Sequence, residues 1–137
     1  MATFEGGCLC GGVRFEVEAE PDAVRYCHCT SCKKLSGGAG TVNGRAPTPA
    51  VRVVAGEEHV RTFQPAEGSA KTFCAVCGSS LFGGDWPDGA EVSVRFGALD
   101  GDPAIRPEYH TFVASAPPWD TLQDDGLPRY PEAKPGE

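Results

Sequence analysis

The chain has 137 residues, 40% of them hydrophobic, enough for one core, and no apolar run approaches the roughly 20 residues that cross a bilayer. A formal net charge of -7 with no basic stripe argues against a nucleic-acid role, because phosphate binding relies on clustered Lys and Arg. The start, Met1-Ala2-Thr3-Phe4-Glu5, lacks the basic-then-apolar pattern of a secretory signal, so a soluble, cytoplasmic protein is expected.

Period-two alternation predicts the elements in chain order. Val13, Phe15 and Val17 alternate with charged residues and make 12–19 a half-buried strand. A short helix is predicted around 30–36, with Thr30 or Ser31 as its N-cap. Val51, Val53 and Val54 form a strand ended by Gly56, and Val60 and Phe63 lie on another closed by Pro65. Residues 70–74 lead as a strand into Cys74, and Leu81 and Phe82 follow the next cysteine. Val92, Val94 and Phe96 alternate until Gly97, and Tyr109, Thr111 and Val113 suggest a last strand. With Gly 18 and Pro 12 marking turns, the expected fold is mostly β, stacked antiparallel sheets with little helix. Residues 1–131 read as a single domain and 132–137 as a disordered tail.

The seven cysteines carry the chemistry. They stand at 8, 10, 27, 29, 32, 74 and 77, an odd number and none of them alone. Disulfide frameworks prefer even counts and oxidising compartments, whereas thiols one or two residues apart can share a metal. Cys8-Leu9-Cys10-Gly11-Gly12 and Cys74-Ala75-Val76-Cys77-Gly78 are knuckle patterns, in which glycine permits the tight turn that aims N–H groups at sulfur. Together they supply four thiolates, enough to fill a tetrahedral zinc and close the site. Cys27-His28-Cys29-Thr30-Ser31-Cys32 supplies three, which leaves zinc one vacancy, the mark of a reactive site. Two Zn²⁺ per chain are therefore expected. Spacing leaves alternatives open. A histidine could close the second site, with His28, His59 or His110 as candidates, and the triad could borrow an outer cysteine. A histidine-closed site would make the protein a non-enzymatic zinc module recognising a protein partner, and an open cluster that oxidises and releases zinc would make it a thiol redox sensor.

Taken in order, these residues resemble the glutathione-dependent formaldehyde-activating enzyme family, which shares its domain with centromere protein V. The resemblance rests on Gly7-Cys8-Leu9-Cys10-Gly11, Val13, Phe15, the Cys27–Cys32 cluster, Phe73-Cys74-Ala75-Val76-Cys77-Gly78, Gly97-Ala98-Leu99-Asp100, Pro107 with His110, and Trp119 with Asp125-Gly126-Leu127-Pro128. It implies that Cys8, Cys10, Cys74 and Cys77 are structural zinc ligands and that Cys27, Cys29 and Cys32 hold the catalytic zinc. It also implies a zinc-stapled β fold and a carbon–sulfur lyase reaction, in which the glutathione thiol adds to formaldehyde and gives S-hydroxymethylglutathione. The partners implied are a small-molecule thiol such as glutathione and a small aldehyde. Lys33 and Lys34 are candidates for binding glutathione's carboxylates, His110 for facing the central zinc, Trp119 for a pocket wall or the core, and Asp100 for a turn.

Overall fold

The structure is a computed structural model that describes residues 3–137. Its strands follow the chain as β1 Phe4–Gly7, β2 Arg14–Val17, β3 Asp22–Cys27, β4 Thr41–Pro47, β5 Val51–Ala55, β6 Val60–Phe63, β7 Lys71–Cys74, β8 Ser80–Gly83, β9 Glu91–Arg95 and β10 Tyr109–Thr111. One α-helix, α1 Thr30–Ser36, lies between β3 and β4, and the other helical segments described are single 3₁₀ turns. Among the described residues, no helix is long and apolar enough to cross a membrane. The chain divides into two compact units: residues up to Asp22 with Gly44–Ala104, and Ala23–Asn43 with Ile105–Glu137.

The first unit stacks two antiparallel layers. β2 lies between β1 and β5, with Phe15 opposite Gly6 on one side and Val53 on the other. β6, β7, β8 and β9 pair in sequence order. The alternation read from Phe15 and Val17 is real, since both are buried while Arg14 and Glu16 are half-exposed. Phe15 meets Phe82 of β8 edge to face, with centroids 5.0 Å apart and planes at 72°. Val13, Val51, Leu81, Val92 and Val94 pack in the same core, together with Cys8 and Cys74. The buried Trp86 ring finds a partner for its one polar atom, Nε1–H donating to the Val51 carbonyl at 2.8 Å.

The second unit pairs β3 with β10 in parallel, His110 opposite Tyr26 and Thr111 opposite Cys27. This pair is parallel, an addition to the antiparallel sheets that were expected. It is possible because the intervening residues are ample for a crossover. The strand expected at 109–113 stops at Thr111, because Phe112 takes a left-handed conformation at φ 56. The chain then returns alongside β10: the His110 N–H donates to Pro128 O at 2.9 Å, and the Tyr130 N–H to His110 O at 2.9 Å. Residues 132–137, expected to be a tail, make contacts there. Glu132 O accepts from the Phe112 N–H at 3.0 Å, the Tyr109 hydroxyl donates to Glu137, and the Lys134 ammonium lies 4.8 Å from the centre of the Tyr109 ring.

Candidate metal centres

None of the seven cysteines is in a disulfide, and they fall into two sets, with the ligand atoms in each all within 4.8 Å of one another. One set is Cys8, Cys10, Cys74 and Cys77; the other is Cys27, Cys29 and Cys32. This is the four-plus-three division, and no outer cysteine joins the triad. The spacing suits a shared ion: tetrahedral zinc with Zn–S near 2.3 Å sets its sulfurs roughly 3.8 Å apart.

The four-cysteine set is built from two knuckles of like construction. Gly11 (φ 78) returns its N–H to Cys8 O at 3.1 Å, and Gly78 (φ 80) returns its own to Cys74 O at 2.7 Å. The Val13 N–H points at Cys8 Sγ at 3.2 Å. Ser79, which the sequence reading passed over, ties the two knuckles together. Its hydroxyl accepts from the Leu9 N–H at 2.9 Å and lies 3.2 Å from Cys77 Sγ. That hydroxyl, with backbone N–H groups, holds the Cys77 thiol down to about 5, so a thiolate is favoured before any cation arrives. Gly56 packs against the loop that follows Cys10. It turns at φ 75 so tightly over the loop that an added Cβ would fall 2.0 Å from Gly12 O. His59 lies in this unit, its carbonyl accepting from the Ala75 N–H at 2.8 Å.

The triad is built where β3 ends and α1 begins. Cys29 is the N-cap of α1, its sulfur accepting from the Cys32 N–H at 3.3 Å, a role that Thr30 or Ser31 was expected to fill. The sulfur takes it because the chain is still extended at Cys29 (ψ 159) and turns helical at Thr30. The His28 N–H donates to Thr111 O at 3.0 Å, which continues the β3–β10 pairing. Gly40 presses on the end of β3, and a Cβ there would lie 2.3 Å from Cys27 O. Hydrogen bonding to the Cys29 and Cys32 thiols, and burial, push the Cys27 thiol up. Three crowded thiols of this kind suit a cation that takes over their protons' role.

The histidines do not close the triad. His28 Nε2 lies 2.9 Å from His110 Nδ1, and His110 Nε2 lies 2.8 Å from Asp125 Oδ2. The rings of Tyr26 and His110 stack at 4.6 Å, and His28 lies parallel to His110 at 5.1 Å. Burial pushes the His28 pKa down, the neighbouring His110 adds to this, and the Ala39 backbone opposes it. The His110 bond, with the Leu127 N–H, holds the Asp125 carboxyl below its usual range. Tyr26, His28, His110 and Asp125 line a cavity of about 330 Å³ that none of the cysteines lines. Lys33 donates to Ser115 O at 2.6 Å, Asp100 pairs with Arg14, and Trp119 is 71% exposed, outside the core in which a tryptophan is commonly found.

The arrangement defines a mostly β protein with two sulfur-rich clusters, each fit to hold a metal ion. The sequence profile described as glutathione-dependent formaldehyde-activating enzyme matches residues 3–115. A Halomonas elongata protein, itself assigned only provisionally as such an enzyme, is 31% identical over 93% of this chain and 88% of its own length. The chain also resembles a crystal structure of a Rhodobacter sphaeroides protein, with TM-score 0.56 and 26% identity, covering 73% of this chain and 92% of that one. The chain belongs to the glutathione-dependent formaldehyde-activating enzyme family.

Proposed function

We propose that the chain is a zinc-dependent enzyme of the carbon–sulfur lyase type, adding a thiol such as glutathione to a small aldehyde such as formaldehyde. In that reaction the sulfur–carbon bond forms and the thiol proton ends on the former carbonyl oxygen, so atoms and charge balance without an oxidant. The observation that carries the reading is the composition of the second cluster: three cysteine sulfurs and, among the described residues, no fourth side-chain ligand within the same reach. Zinc prefers four ligands, so Cys27, Cys29 and Cys32 would hold it with room for a substrate sulfur. When bound there, zinc supplies positive charge that ionises a thiol near neutral pH. The remaining work falls to the chain. The Thr111 carbonyl anchors the backbone between Cys27 and Cys29, and the cap on α1 fixes Cys29 relative to Cys32. No histidine nitrogen among the described residues lies within ligand reach of the three sulfurs, which supports the enzyme over the histidine-closed module. Cys8, Cys10, Cys74 and Cys77 would hold the other, structural zinc.

The test is exchange NMR on labelled formaldehyde with glutathione. The zinc-loaded chain is expected to speed interconversion of free aldehyde and S-hydroxymethyl adduct above the buffer rate, in proportion to protein. A rate indistinguishable from buffer would overturn the assignment.

A further inference from the structure

The four sulfurs of the outer set are alike as donors and unlike in their surroundings. Cys8 and Cys74 belong to the hydrophobic core, at 8% and 0% exposure, and Cys77 packs against that core from its edge. Cys10 is the exposed member of the set and stands outside the core. Its neighbours Leu9, Gly11 and Gly12 are exposed as well.

The supporting bonds divide in the same way. Cys8 Sγ takes the Val13 N–H at 3.2 Å, from a residue that is itself in the core. The Cys74 N–H donates to Ser79 O at 3.0 Å, and the Ser79 hydroxyl, fixed by the Leu9 N–H at 2.9 Å, lies 3.2 Å from Cys77 Sγ. Cys10 is bonded by the Gly12 N–H, from within its own surface loop. Moving Cys8, Cys74 or Cys77 therefore disturbs core packing or a hydroxyl shared by both knuckles. Moving Cys10 disturbs only a glycine turn, whose backbone has other conformations within reach.

We propose that the four-cysteine set gains and gives up its metal ion through Cys10, and that this is the sulfur a competing small thiol displaces. The proposal rests on the reading that the four cysteines share an ion. In the exchange a bond from the metal to the incoming sulfur forms, the bond to Cys10 breaks, and the incoming thiol's proton passes to the Cys10 sulfur, so atoms and charge balance. Cys8, Cys74 and Cys77 keep their places, so the fold persists while one corner opens. The staple is thus exchangeable, and Cys10 is also where a soft electrophile meets it first.

The experiment uses the full, cadmium-loaded chain and limiting iodoacetamide, whose carbon bonds sulfur as iodide leaves. Peptide mass spectrometry times the label at each cysteine, and cadmium NMR follows the ion held by four sulfurs. Within this set Cys10 is expected to take the first label. The four-sulfur resonance should fade at the rate of that label while the dispersed protein spectrum remains. Ser79→Ala should speed labelling of Cys77 about ten-fold, the scale of losing a bond that supports a metal ligand, and leave Cys10 unchanged. The proposal is overturned if Cys8, Cys74 or Cys77 is labelled as early as Cys10 in the unaltered chain, if the resonance outlasts the Cys10 label, if the protein unfolds with that label, or if Ser79→Ala leaves Cys77 as slow as before. A loaded chain with no four-sulfur resonance at the outset would instead overturn the shared-ion reading, and the proposal with it.

Discussion

The two cysteine clusters use the same atom on different backbones. The four-cysteine set joins two glycine knuckles lying roughly sixty residues apart in the chain, and two of its sulfurs, Cys8 and Cys74, are part of the hydrophobic core. The triad spans six consecutive residues at one junction of strand and helix. A cluster drawn from distant segments can assemble only with the fold, so any ion bound there adds its binding energy to folding. A local cluster can lose its ion while the chain around it keeps its hydrogen bonds. The contrast teaches that ligand spacing along the chain, as much as ligand number, separates a staple from a working site.

The largest expected effect breaks this contrast outright. Cys74→Ser places a poor ligand at a 0% exposed position of the long-range cluster, and loss of the dispersed NMR spectrum together with bound metal is expected. Cys29→Ser should behave differently, because serine is a preferred N-cap and can accept from the Cys32 N–H as the sulfur does. That variant is expected to stay folded and give up one metal equivalent by elemental analysis. If both variants unfold alike, the distinction between the clusters collapses.

A subtler change addresses the triad from outside. Gly40→Ala would bring a methyl carbon against the Cys27 carbonyl and force one backbone to move. Metal affinity of the triad should fall on the order of ten-fold, as for other changes that disturb the support of a metal ligand, while the four-cysteine set keeps its ion. Chelator competition monitored for two separate release steps gives the answer, and equal weakening of both steps would contradict it.

The smallest effect concerns acid. The folded Asp125 carboxyl is held below its ordinary value by His110, so it is the ionised form that the fold favours. Its contribution is complete above about pH 4, the range of an unfolded aspartate, and disappears as the pH falls through the lower folded value. Asp125→Asn should therefore lower stability near neutrality and flatten its decline in strong acid. Urea midpoints at several pH values check this, and parallel curves for the two proteins would contradict it.

Much of the fold could be read from particular residues. Val60 and Phe63 mark β6 at its ends, the helix spans the predicted 30–36, and the buried Val92 and Val94 bear out their alternation. Three strands escaped. β1 carries Gly6 and Gly7, β4 carries Asn43, Gly44 and Pro47, and β3 mixes burial without strict alternation, so neither propensity nor period marked them. The strand state of β3 comes in part from a partner far along the chain, β10, whereas β1 pairs with the neighbouring β2. The cysteine sets were legible because knuckle chemistry is local in sequence. Ser79 was not, since its value lies in reaching a second knuckle, and Asp125 was noticed only as part of a family segment. The bond of His110 to His28 links residues 82 positions apart, which no short pattern records.

The bend at Gly56 has an evolutionary corollary. Because the missing side chain lets that turn nest against the loop after Cys10, residue 56 and the length of that loop cannot drift independently. A lineage that put a bulkier amino acid at the bend would have to insert residues beyond Cys10 in compensation. Paired changes of this kind, rather than single ones, are what homologues that keep both cysteine pairs should display.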